Sequence, residues 1–186
     1  EWKESQFTGV VIGSDNEKAG AFSCSDQRLN QLQSNITWSQ RSNLVGIPTD
    51  CPTREKAGWT GDVYIYGKTS CFNQNLLTFY EEWLRSVRAE QMDNGGVAYT
   101  VPQIKNYVQQ LGGISTGWGD VIVELPLQLY RIYGDRSVLE QNYDAMKRWQ
   151  RCLQHMAESE LSPEAAQMEG RELENQRYLI NTGFQF

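Results

Sequence analysis

Residues Pro48–Asp62 read PTDCPTREKAGWTGD, and neither a helical period nor a strand alternation fits them. Prolines at 48 and 52 hold the backbone extended, and glycines at 58 and 61 permit tight turns. The stretch therefore predicts a stiff loop. It carries three acids (Asp50, Glu55, Asp62), two bases (Arg54, Lys56) and the indole of Trp59. A rigid loop can hold carboxylates close together without folding them into a helix. Close carboxylates repel, so one keeps its proton near neutral pH. A protonated carboxyl beside ionised ones is what a general acid needs. The indole offers a flat apolar wall, which suits the C–H face of a sugar. Asp accepts from neighbouring hydroxyls and Arg donates to hydroxyl or ring oxygens. The mixture fits a carbohydrate better than a phosphate or a peptide.

The flanking sequence predicts an all-α chain of about five helices. Residues 61–73 fit a buried helix with a small face. In residues 75–91, Leu76, Tyr80, Trp83, Leu84 and Val87 form one apolar stripe, with Glu81, Glu82, Arg85 and Arg88 outside it. Residues 120–133 predict another helix, which Pro126 kinks unless it lies near the first turn, and Gly134 is its expected stop. Ser137 and Glu140 have capping-box spacing and open a helix striped by Leu139, Tyr143, Met146, Trp149, Leu153 and Met156. Upstream, Leu29, Leu32 and Ile36 sit at helical spacing within residues 26–42. Residues 7–12 (FTGVVI) read as a strand or an extended lead-in, followed by a polar turn at Ser14–Asn16. Residues 158–177 are charged and broken by Pro163, and Leu179–Phe186 are apolar. Trp2, Trp38, Trp83 and Trp149 are assigned to core or helix packing. Long glycine-rich loops at 46–60 and 92–119 separate the helices, and loops of that length usually serve a function.

The second long loop repeats the chemistry of the first. Gly117-Trp118-Gly119-Asp120 again sets an aromatic and an acid between glycines, just ahead of an apolar helix. Two such loops at the same relative place could converge on one end of a helical barrel.

A net charge of −6 argues against a nucleic-acid partner, which requires a basic face. No window approaches the roughly 20 apolar residues of a membrane span. Cys24, Cys51, Cys71 and Cys152 form no CxxC, and the single His155 has no ligand-like neighbour, so no metal site and no cofactor are expected. The cysteines read as separate free thiols, and His155 as structural. The compartment is left open. The chain starts at Glu1, so it reads as an excised piece.

Here a resemblance becomes specific. NLVGIPTDCPTREKAGWTGD, then GWGD, then ELPLQLYRIYGD, resemble the catalytic domain of bacterial and fungal α-L-rhamnosidases; AFSCSDQRLNQLQSNITWSQRSN extends the match upstream. Residues 20–155 match well and the remainder loosely. The resemblance implies an (α/α)6 barrel, of which residues 20–186 would be the N-terminal part, with residues 1–19 a linker or short β segment from a preceding domain. It implies inverting hydrolysis of terminal α-L-rhamnose on a rhamnose-containing glycoside or polysaccharide. Glu55 matches the general acid. Asp50 and Asp62 match acids that bind rhamnose hydroxyls, Arg54 a sugar contact and Trp59 the aromatic wall; Trp118 and Asp120 match a further wall and hydroxyl acceptor. The C6 methyl of rhamnose gives such walls an apolar target. Inverting enzymes need a second carboxylate about 6.5–9.5 Å from the first, and no match to that late-barrel glutamate precedes Phe186. A full barrel of twelve helices needs more than about 200 residues. The expectation is a truncated barrel that exposes apolar surface, self-associates, binds sugar weakly and does not turn over.

Blander roles compete for the same residues. Asp62 and Asp120 each stand where a helix N-cap would. Asp50 could be a turn acid, Arg54 and Lys56 a solvated charge run, and Trp59 and Trp118 plain core. Two other functions compete as well: a barrel glycosidase acting on a different sugar, and a helical carbohydrate-binding or scaffold domain without catalysis.

Overall fold

The computed structural model describes residues 3–104 and 114–159. The charged segment after residue 159, the apolar C-terminal end and Trp2 lie outside the described residues. Among the described residues, a short 3-10 turn at Glu4–Gln6 precedes five α-helices: α1 (Gln27–Asn43), α2 (Thr60–Asn73), α3 (Leu77–Ala89), α4 (Val121–Tyr133) and α5 (Ser137–Ser159). The described residues are all-α apart from a two-stranded hairpin between α1 and α2, in which β1 (Leu44–Val45) pairs antiparallel with β2 (Ile47–Pro48).

Helix α3 follows its sequence pattern most closely. Tyr80, Trp83, Leu84 and Val87 are buried, as is Leu76 at its N-cap. Trp83 also donates its indole N–H to the Val101 carbonyl at 3.0 Å, which ties the helix to the 97–101 segment. Helix α4 packs against α2 and α5. Its inner face is Val121, Ile122, Leu125, Pro126 and Leu129. Pro126 lies in the second turn, where its missing N–H would otherwise bond to Ile122. Gly134 ends the helix in the left-handed region, φ 73°, and donates to Tyr130 O at 2.8 Å, so the expected stop is the observed one.

The small face expected of α2 is present and has a use. Thr60, Val63, Gly67, Ser70 and Cys71 are buried along it. A Cβ on Gly67 would meet Leu125 Cδ1 at 3.0 Å, so glycine lets α4 approach this closely. Burial of the two helices' apolar faces against each other contributes on the order of 25 cal/mol per Å² of apolar surface removed from water.

Four expectations need correction. The α1 stripe turns outward: Leu29 and Leu32 are about half exposed, and Ile36 is half-buried. Trp38 is also exposed rather than core, with the Arg41 guanidinium 4.7 Å from its ring. What α1 buries instead is Gln40, whose amide makes four hydrogen bonds. Its Nε2 donates to Ser70 O (3.1 Å) and Gln74 Oε1 (2.7 Å), and its Oε1 accepts from Tyr66 Oη (3.0 Å) and Asn73 Nδ2 (2.9 Å).

Helix α5 buries Trp149 and Met156 as expected, but its other buried positions, Val138, Asn142, Ala145 and Cys152, each lie one residue before the expected ones. Leu139 and Leu153 are only partly buried beside it, and Tyr143 is 60% exposed under the Lys147 ammonium. The cause is Asn142, a buried amide that donates to Val138 O and accepts from Arg88. The Ser137–Glu140 capping box is replaced by Asp135, whose carboxylate accepts from the Ser137 amide at 2.8 Å; the Glu140 amide bonds to Arg136 O. Hydrogen bonding from Ser137, first from its side chain and then from its amide, holds the Asp135 carboxyl below its usual range.

Residues 7–12 are exposed and belong to no helix or strand. Beyond them Ser14 is anchored at both ends, its amide on Leu44 O and its hydroxyl on the Gly46 amide. Cys24, Cys51 and Cys71 are free thiols. His155 lies on the exposed side of α5.

Candidate active site

The PTDCPTREKAGWTGD loop leaves β2 and folds back on itself before α2. Its closure is set by Asp50. The Asp50 amide donates to Ala57 O (3.1 Å), and the Ala57 amide donates to Asp50 Oδ1 (3.0 Å). Within that bracket the Glu55 amide donates to Cys51 Sγ at 3.1 Å. Lys56 turns the chain with φ 53°, a left-handed conformation uncommon for a non-glycine residue. Gly58 then lets the backbone pass the 97–101 segment: a Cβ there would sit 2.1 Å from Val101 O. The Val101 amide bonds to Gly58 O, and Thr60 bonds by amide and hydroxyl to Tyr99 O. The loop is thus stiff, as its prolines and glycines suggest, but most of its fixation is supplied by hydrogen bonds.

These bonds present Glu55. Trp59 Nε1 donates to Glu55 Oε2 at 2.9 Å, and Arg54 Nη2 donates to Oε1 at 2.6 Å. The Glu55 side chain is 24% exposed and that of Arg54 82%. The acid is therefore held on its protein side by an indole and covered on its solvent side by a guanidinium with room to swing away.

A concavity of about 690 Å³ opens between α1, the β-hairpin and the start of α2. Asp50, Asp62 and Trp118 line it, together with Asn43, Tyr64 and Tyr66. Asp62 lies in the first turn of α2, where the N-cap is Trp59. Its carboxyl is pushed above the usual range, first by burial, then by the charge of Asp50 and less by that of Glu55; a hydrogen bond with its own amide opposes the rise. The acids of the loop therefore sense one another, as crowding in the sequence implies. Asp62 is the residue on which the repulsion is read.

Trp118 stands across from this turn. A Cβ on Gly61 would come within 2.8–2.9 Å of its indole, and Tyr99 meets its ring edge-on at 5.6 Å between centroids. The two aromatic loops do converge, one on each side of the N-terminus of α2. Of the predicted site residues, Glu55, Arg54, Trp59 and Asp120 are not among those that line the concavity. For Asp120 the reason is its other bonds. Its Oδ2 accepts from the Gly117 amide (3.0 Å) and its Oδ1 from Trp149 Nε1 (2.9 Å). It is the N-cap residue of α4 by position but makes no side-chain capping bond.

Sequence reasoning passed over Asn43, Tyr64, Tyr66 and Cys51. The aromatic pair directly after Asp62 is a signal for the tyrosines. For Cys51 and Asn43 the local sequence offers none, because their roles depend on how the loop closes.

Comparison with known proteins identifies the fold and the family. Superposition on solved structures gives a TM-score of 0.75 with the α-L-rhamnosidase from Dictyoglumus thermophilum (32% identity, 82% of this chain and 17% of that one). The Streptomyces avermitilis α-L-rhamnosidase complexed with L-rhamnose gives 0.75 as well (35% identity, 81% and 14%). The fold is that of the six-hairpin glycosidases. Among curated proteins, an α-L-rhamnosidase of Formosa agariphila is 47% identical over 142 residues, 76% of this chain and 15% of the relative. The sequence model of the bacterial alpha-L-rhamnosidase 6 hairpin glycosidase domain matches residues 17–171, and the chain belongs to that family. It spans about 15% of the length of the curated relatives it matches.

Proposed function

We propose that the protein hydrolyses terminal α-L-rhamnose from a glycoside or polysaccharide with inversion, and that these residues supply the acid side of the site. Glu55 protonates the departing glycosidic oxygen. Asp50 and Asp62 accept rhamnose hydroxyls in the concavity, Trp59 and Trp118 wall the sugar, and Arg54 turns from Glu55 to a sugar oxygen as substrate enters. Asp120 acts on the sugar through Trp118 and the turn it holds. The water-activating carboxylate of an inverting pair, about 6.5–9.5 Å from the acid, comes from outside the described residues.

The observation that carries this reading is the seating of Glu55. Its carboxyl is fixed by the Trp59 indole, on the same loop as Asp50 and next to the helix turn of Asp62, the two acids that line a sugar-sized concavity. In the full-length protein, Glu55→Gln should abolish turnover of an alkyl rhamnoside while L-rhamnose still binds. Unchanged turnover would remove Glu55 from the mechanism, and inhibition by glucose as strong as by L-rhamnose would remove the sugar assignment.

A further inference from the structure

We infer that Cys51 is a positioning residue for the acid: its thiol, by accepting the Glu55 amide, sets the direction in which the Glu55 carboxyl points. The inference rests on the assignment of Glu55 above.

Three bonds define the loop from Asp50 to Ala57. Two of them, between Asp50 and Ala57, close its ends and leave the intervening turn undetermined. The third, from Glu55 N to Cys51 Sγ at 3.1 Å, lies inside that bracket and fixes the backbone of the acid itself. It acts at the residue just before Lys56, where the chain enters the left-handed region. Orientation of the Glu55 peptide and the turn at Lys56 are therefore coupled through one sulfur. The side-chain bond from Trp59 then operates on a carboxyl whose stem is already aimed.

The chemistry of sulfur suits the task. A thiol is a weak acceptor but a large one, so it reaches the amide from the Cys51 backbone position without drawing the turn tighter. Serine in its place offers a stronger acceptor on a shorter arm. Alanine offers none and leaves the partly buried Glu55 amide without its partner. A misplacement of about 1 Å at a catalytic group costs up to about 100-fold in rate, so the loss of this bond should appear in turnover before it appears in folding.

The test compares Cys51→Ala, Cys51→Ser and Glu55→Gln in the full-length protein on two substrates. A methyl rhamnoside has a basic leaving group that needs the proton; a 4-nitrophenyl rhamnoside has an acidic one that largely does not. For Cys51→Ala, kcat on the methyl rhamnoside should fall about 10- to 100-fold and kcat on the nitrophenyl rhamnoside much less. KM and the thermal midpoint should stay near wild type, and Cys51→Ser should recover a large part of the loss. A purely structural cysteine would lower both substrates equally. Equal losses on the two substrates, or unchanged kcat in Cys51→Ala, would overturn the inference. If Cys51→Ala does not fold, Cys51→Val, which fills the space but offers no acceptor, is read in its place: an unchanged leaving-group ratio there overturns the inference. Glu55→Gln separates the two layers. Leaving-group dependence there without any in the cysteine variants defeats only the inference, and its absence in Glu55→Gln defeats the assignment beneath.

Discussion

Trp149 on α5 donates its indole N–H to Asp120 Oδ1 at 2.9 Å, linking the buried indole of that helix to the loop that carries Trp118. The same carboxylate holds the Gly117 amide with its other oxygen. One acid thus joins the core to a wall of the candidate site. Gly119 completes the joint: a Cβ there would lie 2.5 Å from the Trp149 ring.

Asp120→Asn keeps one acceptor and turns an amide NH₂ toward a donor. Hydrogen bonds to a charged group contribute about 1.5–3 kcal/mol, and a loss within that range is expected in urea unfolding. Affinity for L-rhamnose should weaken along with it, because Trp118 loses its anchor. A variant that retains full stability and loses only sugar affinity would mean that Asp120 contacts the sugar directly.

Trp59→Phe keeps a flat apolar wall and removes the N–H that seats Glu55. Turnover of an alkyl rhamnoside should fall by about tenfold, a fraction of the roughly 10²–10⁴ that a general acid supplies, while rhamnose affinity stays close to wild type. Steady-state kinetics on the full-length protein checks this. A large rise in KM with unchanged kcat would assign Trp59 to binding alone.

Asp62 gives a pH dependence of definite sign. Its carboxyl titrates higher in the folded chain than in the unfolded one, because burial and the charge of Asp50 disfavour its ionised form. The folded state therefore binds more protons between the two values. Its stabilising contribution is complete below the unfolded value and is lost as pH rises through the folded one. Asp62→Asn should remove that part of the pH dependence and raise the thermal midpoint at neutral pH, while weakening rhamnose binding. A midpoint that drops at neutral pH would contradict the sign.

Gly58→Ala should be among the most damaging single-methyl changes in the loop. The new Cβ would sit 2.1 Å from the Val101 carbonyl, and both partners are backbone with no rotamer to yield. A loss of about 3 kcal/mol or more is expected, measured by chemical denaturation. Gly46→Ala is the informative control: there the space is open and only φ 77° opposes the change, so a smaller loss is expected.

Helix α3 was legible in the sequence because its inner face is wholly apolar, so periodicity alone assigns it. Helix α5 was legible as a helix, and Trp149 and Met156 face inward as expected, but the rest of its facing was not legible. Hydrophobicity places Tyr143 inside and Asn142 outside, whereas Asn142 is buried because Arg88, 54 residues away, meets its amide. Helix α1 misleads for the same reason, since its inward residue is a glutamine satisfied by α2. In the site, spacing within one loop was enough to bring Glu55 to Trp59. It could not show that Asp120 turns toward Trp149, 29 residues further on, or that Cys51 reaches the Glu55 amide.

The four-bonded Gln40 gives α1 an unusual mode of attachment. Amide bonds are directional where apolar contact is not, so a shift of α1 by one residue would break all four together. The helix is keyed in register against α2, yet it contributes little greasy surface to the cluster formed by α3, α4 and α5. Such an element can lift off as a unit while the remainder stays folded. Its backbone amides should exchange with deuterium well ahead of those of α3, and Gln40→Leu should hasten that release without disturbing the slow protons elsewhere.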